Sequence, residues 1–353
     1  MSGGGPRRNF EIYRRLSHKH EITVLTPTFE GSTQELVRDN VRYIRLGRKV
    51  RNHGSSHHIT FFFSLPRAIR EFDYDLLVED FMPPASATLN PLFSKAPTVA
   101  SVQWFFAEAL SRQYKLPFFI GERYGVKLYK HFIVLTESMK KTIRQRNQRA
   151  DSVVIPNGVD NHFFECDISF GDYILYVGRV DVNQKGVDLL LHAYAKIPKE
   201  QRIPLVLAGH SFQEVDINTL ARALNIESDI TMMGKVEGGA LYALVQGCRF
   251  MCVPSREETF GMVITEACAA GKNVVLFDKA PMNEVASSRC IKVPPFDVEK
   301  YSQAMLQFLN RSSEGLLEDS NVNKLWASQY RWDEIAVQQD KYYESVMNKE
   351  CIL

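Results

Sequence analysis

The sequence predicts an α/β chain of two Rossmann-like, doubly wound parallel-sheet domains, and three observations predict it. At 353 residues the chain exceeds one ordinary core and suits two domains of usual size. Short β-rich runs bounded by turn residues alternate with longer helical patterns, the signature of βαβ units. The pattern is laid down twice, either side of a turn-rich segment near residues 156–171.

In the first half the strand candidates are Glu21–Thr26, Arg42–Leu46, Asp75–Glu79, Thr98–Val102, Phe132–Thr136 and Ser152–Ile155. In the second they are Tyr173–Val177, Leu205–Ala208, Ile230–Met233, Phe250–Val253, Asn273–Phe277 and Cys290–Val293. Helices between them show apolar spacings of three and four, as in Leu189, Leu190, Ala193 and Tyr194. Pro156-Asn157-Gly158-Val159-Asp160 carries the turn signals of a boundary. The domains are accordingly set at 1–160, 161–332 and a last helix over 333–353 that crosses back to the first. A ligand cleft is expected between the two large domains.

The net charge of +2 conceals an asymmetry. Residues 1–160 hold 24 Lys and Arg against 15 Asp and Glu, and the remainder holds 19 against 26. A basic half suits anionic lipid, nucleic acid or a phosphorylated acceptor, and charge alone does not choose among them. All six cysteines lie in the second half with no C-x-x-C pair, as small buried hydrophobes of a reducing compartment do. No apolar run approaches the roughly 18 residues of a spanning helix, and the N-terminus lacks the apolar stretch of a signal peptide. A cytoplasmic protein, at most peripheral at the inner membrane surface, is expected. The final Cys351-Ile352-Leu353 is one residue short of a prenylation box.

Two segments carry the chemistry. Gly178-Arg179, with Lys185-Gly186 after it, follows an apolar strand and supplies two cations at a strand-to-helix turn. Glu258-Thr259-Phe260-Gly261-Met262-Val263-Ile264-Thr265-Glu266 places two carboxylates eight residues apart around a helix start. Cations suit a diphosphate and carboxylates suit sugar hydroxyls. Arg179 offers a fork and Lys185 a point charge, so a departing diphosphate is neutralised without a metal. The free N–H groups of a helix beginning at Gly261, Met262 and Val263 aim at the same phosphates.

With Gly3-Gly4-Gly5, Pro156-Asn157-Gly158-Val159-Asp160 and Met233-Gly234, these segments resemble the retaining GT-B glycosyltransferases of family GT4 over nearly the whole chain. The resemblance implies that a nucleotide-diphosphate sugar, linked to GDP or UDP, gives up a hexose to a hydroxyl of a glycan or lipid-linked acceptor. It implies catalytic roles for Arg179, Lys185 and Glu258, with Glu258 receiving the sugar hydroxyls. Glu266, two helical turns on, would bind the ribose, and the base would lie near Met233, Gly234, Lys235 and Val236. Gly4 and Gly5 would form a loop against the donor diphosphate and acceptor, with Pro6 opening a helix. No cofactor and no metal are expected.

Two departures qualify the resemblance. Only Met1 and Ser2 precede the glycines, so the first domain is expected to lack its central first strand, through truncation or a misplaced start, and to be impaired. Gln103 stands in Ser101-Val102-Gln103-Trp104, where relatives commonly carry a His toward the sugar. Both features motivate the alternative of a non-catalytic, degenerate nucleotide-sugar-binding paralogue. A GT-B sugar phosphorylase is a third reading.

Other signals carry less. His53, His57 and His58 read as a surface loop, since no carboxylate or Cys sits at ligand spacing. Phe61-Phe62-Phe63 beside Arg67 and Arg70 suits a bilayer wedge or a buried helix start equally. Lys140, Lys141, Arg144, Arg146 and Arg149 make a cationic helix face, but without interleaved aromatics or a recognisable module nucleic acid is not expected as a partner. Ala269-Ala270-Gly271-Lys272 reads as a helix end capped by Gly271, not as a phosphate loop.

Overall fold

The computed structural model describes residues 4–48, 56–81, 89–105, 107, 111–112, 115–210 and 217–350. Gly3, His53 and the C-terminal Cys351-Ile352-Leu353 lie outside them, as does the side chain of His57. The chain divides into two compact units, residues 1–157 with 332–353, and residues 158–331.

Unit 1 runs α1 (Gly4–Leu16), β1 (Ile22–Pro27), β2 (Glu35–Arg38), β3 (Val41–Leu46), α2 (Ser56–Glu71), β4 (Leu77–Phe81), β5 (Thr98–Val102), α3 (Phe118–Gly125), β6 (His131–Val134), α4 (Glu137–Arg146) and β7 (Asp151–Val154). Unit 2 runs α5 (Asn161–Glu165), β8 (Ile174–Val177), α6 (Val187–Ala195), β9 (Leu205–Ala208), α7 (Ile217–Ala223), β10 (Ile230–Gly234), α8 (Gly239–Gly247) and β11 (Phe250–Val253). It continues through α9 (Met262–Ala269), β12 (Val274–Phe277), α10 (Met282–Val285), β13 (Ile291–Val293), α11 (Val298–Leu309) and α12 (Ser313–Ala327). The last helix, α13 (Trp332–Glu350), belongs to unit 1.

Unit 2 holds one parallel six-stranded sheet in the order β10-β9-β8-β11-β12-β13, so its first strand, β8, sits in the middle. Strands covered by helices on both faces read as continuous apolar runs, and β9, β11 and β12 are buried throughout. Unit 1 holds two separate sheets, β1-β3-β2 and β4-β5-β6-β7. Among the described residues no strand joins β1 to β4, the position β8 fills in unit 2. β1 and β4 each end a described sheet, and no residue of β1 is fully buried. The Oδ1 of Asp80 on β4 and the Nε atoms of Arg8 and Arg45 are enclosed without hydrogen-bond partners.

What holds unit 1 together is helical. Ile12 and Leu16 of α1 meet Trp332, Ile335, Tyr342, Tyr343 and Val346 of α13 over Val99, Ile133 and Ile155. Ile22 of β1 and Val78 of β4 pack against this same cluster.

Three local expectations need correction. Gly4 and Gly5 are helical and Pro6 is the third residue of α1, because the first turn of a helix has no internal N–H partner for proline to remove. β2 pairs antiparallel with β3, a short exposed edge strand without apolar alternation to announce it. Arg146 is not a free surface cation, for it pairs with the buried Glu122 and lies 4.9 Å from the Phe105 ring centroid.

Candidate donor site

The site is built where β8 and β11 end. After β8, the hydroxyl of Tyr176 donates to the carbonyl of Arg179, fixing the turn at Gly178, whose φ is +151°. Asp181 shapes the next residues as an Asx turn, its Oδ1 accepting from the amides of Asn183 at 2.7 Å and Gln184 at 3.2 Å. Gly186, at φ +63°, caps α6.

The loop after β11 is stitched onto this turn. The Gln184 carbonyl accepts from the amides of Arg256 at 2.8 Å and Glu257 at 3.1 Å. Arg256 forks onto Asp188 of α6, with Nη1 to Oδ1 at 2.6 Å and Nη2 to Oδ2 at 2.7 Å, and that bond holds its guanidinium above the usual range. Backbone approach is tight enough that a Cβ on Gly186 falls 2.2 Å from the Pro254 carbonyl oxygen, and one on Gly209 falls 1.6 Å from that of Gly178. Both positions exclude any side chain.

The result is an acid–base contact between the two segments. Lys185 Nζ lies 2.5 Å from Glu258 Oε1, and the hydroxyl of Ser255 donates to the same oxygen at 2.8 Å. Ser255 is itself buried. Arg179 is exposed beside them, its Nη2 donating to Gln184 Oε1 at 2.5 Å. α9 starts four residues beyond Glu258, after Gly261 at φ +92°, so its unpaired N–H groups at Met262 and Val263 open next to the carboxylate. Such a helix start, with Lys185 and Arg179, suits an anion.

Glu266 is a buried residue of α9. Its placement relative to Glu258 is not by a shared helix face, since only Met262 onward is helical and Glu258 lies in the irregular lead-in. The turn at Gly261 sets their relation instead. Met233, Lys235 and Val236 line a surface cavity of about 520 Å³ beside β10, together with Tyr173, Glu237 and Leu244. Lys235 pairs with Glu237 at 2.9 Å, and Gly234 adopts φ +65° with open space around it. That cavity does not include Lys185 or Glu258.

In unit 1, Gly5 faces Gln103, whose side chain comes within 3.7 Å of where a Cβ would stand. Gln103 is buried and donates to Ser101 Oγ at 3.2 Å. The sequence motifs assign no role to Arg256, Asp188, Tyr176 or Gly209. Only Gly209, just past a strand end, carries a local signal. Lys272, after the Gly271 cap at φ +74°, is buried and donates to the Ser169 and Cys248 carbonyls, which removes it from any phosphate role. Among the described residues no cluster of His, Cys, Asp and Glu is arranged to hold a metal ion.

Two doubly wound α/β units in one chain, with anion-receptive loops at the strand ends of the second, are the architecture of the GT-B glycosyltransferases. A family profile described as Glycosyltransferase Family 4 matches residues 2–163, and one described as Glycosyl transferases group 1 matches residues 160–324. The chain belongs to this GT4 family. It is 28% identical over 236 residues to an uncharacterized glycosyltransferase of Methanocaldococcus jannaschii, covering 61% of this chain and 60% of that one. It is 28% identical over 222 residues to a phosphatidyl-myo-inositol mannosyltransferase of Mycobacterium tuberculosis, covering 56% of this chain and 55% of that one. The matches thus span little more than half of these relatives' length. Sucrose-phosphate synthase of Thermosynechococcus elongatus superposes with a TM-score of 0.79 at 17% identity, covering 99% of this chain and 94% of that one, a likeness of fold.

Proposed function

We propose that this chain is a retaining, metal-independent glycosyltransferase that moves a hexose from a GDP- or UDP-linked donor to a hydroxyl of a glycan or lipid-linked acceptor. The observation that carries the reading is the meeting of Lys185 and Glu258 at the ends of two loops stitched together by Gln184 and Arg256. Without ligand the two side chains neutralise each other. A bound donor separates the pair's duties, giving Lys185 the departing diphosphate and Glu258 the sugar hydroxyls. Arg179 and the start of α9 add positive potential where negative charge develops, which is electrostatic catalysis by groups held in place beforehand. Ser255 keeps Glu258 oriented when Lys185 turns to phosphate.

Screening UDP- and GDP-hexoses for a rise in melting temperature identifies the donor, since a ligand that binds only the native state raises stability. Turnover is then followed in wild type and Lys185→Ala. Transfer should fall on the order of 10²–10³-fold, the range for losing one charge-stabilising donor, and should persist in EDTA. Full activity in Lys185→Ala removes the assignment.

A peripheral contact with anionic membrane belongs to the same proposal. Phe63 and Ile59, one turn apart on α2, are 82% and 57% exposed, and Lys140, Lys141 and Arg144 line one face of α4. The reading of a nucleotide-sugar binder without turnover is favoured by one observation, the divided sheet of unit 1. Binding of donor without transfer to any acceptor selects it.

A further inference from the structure

α1 opens with Gly4 and Gly5 and, about one turn on, carries Arg8, which is fully buried. Its Nη1 donates to the carbonyl of Pro156 and, at 3.2 Å, to Oδ1 of Asn157. Its Nη2 donates to Oε1 of Gln339 at 2.6 Å, and Gln339 Nε2 in turn donates to the Tyr343 hydroxyl. Pro156 and Asn157 are the last residues before the chain leaves unit 1 at Gly158, and Gln339 sits on α13, the helix by which it returns at Trp332. One guanidinium thus ties the glycine-bearing helix to both crossing segments.

Stability does not account for this arrangement. All three acceptors are neutral, the Nε has no partner, and the carboxylate that feels the charge, Asp80, takes its hydrogen bond from Asn9. Burial pushes the guanidinium down to about 10, a sign that the charge is held at a cost that an apolar side chain of similar volume would avoid. What only arginine supplies is a rigid planar fork that reaches several acceptors at once.

We propose that Arg8 is a positioning residue that holds Gly4 and Gly5 against Gln103 in register with both segments through which the chain crosses to and from unit 2. A shift in either crossing is then transmitted to the glycine end of α1. The effect on transfer rests on the proposed glycosyltransferase reading; the effect on backbone protection does not.

The test compares the full chain with Arg8→Met and Arg8→Lys. In Arg8→Met, amide exchange at Val159 and over residues 336–340 should accelerate at least about tenfold while β5 and β6 stay protected, because local opening follows local contacts. Affinity for UDP and GDP, read by calorimetry, should fall less than turnover, since Arg179, Lys185 and the start of α9 lie in unit 2. Turnover should fall about 10–100-fold, the scale of a misplacement of about 1 Å, with little recovery in Arg8→Lys because an ammonium cannot span three acceptors. Unchanged exchange in both segments of folded Arg8→Met overturns the proposal. If that variant does not fold, Asn157→Ala and Gln339→Leu each remove one acceptor; faster exchange in the second turn of α1, residues 8–11, in either supports the latch, and no change in both overturns it. A wild type without turnover on any donor defeats the functional reading and leaves the exchange result to decide Arg8.

Discussion

At the scale of residues, the candidate donor site depends on side chains whose job is to shape backbone for others. Asp181, Arg256 and Asp188 bind no expected ligand atom, yet they fix the turn from which Lys185 projects. Gly186 is the sharpest case, since its φ of +63° and the 2.2 Å approach to the Pro254 oxygen both forbid a Cβ. Gly186→Ala should destabilise the protein by more than the about 1–2 kcal/mol that the left-handed conformation alone costs, read from the urea midpoint, and should weaken donor binding. A midpoint within error of wild type would show that the two loops part more easily than their hydrogen bonds imply. Arg179, Lys185, Glu258 and Glu266 stand out in the sequence because charge beside a strand end or inside an apolar run is unusual. Arg256 does not, for its fork to Asp188 joins positions 68 apart in sequence, and no local pattern announces such a pair.

At the scale of elements, the exposed flank of β4 brings a pH-dependent cost. Asp80 keeps some exposed surface, but its Oδ1 is enclosed, and desolvation raises its carboxyl to about 6 from an ordinary 3.8, with the Asn9 hydrogen bond and the Arg8 charge opposing the rise. A raised acid binds its proton more tightly folded than unfolded. The stability it contributes is thus fully present below about 3.8 and lost as pH rises through about 6. Asp80→Asn should therefore be more stable than wild type at pH 7.5, by up to about 3 kcal/mol on the conversion of 1.36 kcal/mol per unit, and should lack the wild-type decline between pH 4 and 6. Parallel stability curves for the two proteins would show the carboxylate to be solvated. Each strand named from sequence lies within two residues of an observed one, because period and turn residues are local properties. Among the described residues the one strand missed, Glu35–Arg38, is exposed throughout and pairs with β3.

At the scale of the whole molecule, the distribution of charge and apolar surface leads to a membrane prediction. Vesicles with about 30% anionic lipid should retain the protein, each nearby Lys or Arg contributing about 1 kcal/mol, and neutral vesicles should not. Phe63→Ser should weaken retention without altering the melting temperature, since that ring is 82% exposed. Retention indifferent to lipid charge would remove the basic face of α4 from the account. The sequence by itself determined the class of fold and the positions of most of its strands, and it singled out the charged residues of the candidate donor site, because alternation, turn chemistry and out-of-place charge are written locally. Only the tertiary structure decided that unit 1 is two sheets held by α1 and α13, that Glu258 meets Lys185 through a stitched pair of loops, and that Arg8 spans both crossings. Those facts join residues up to 331 positions apart, and such contacts exist only once the chain has closed on itself.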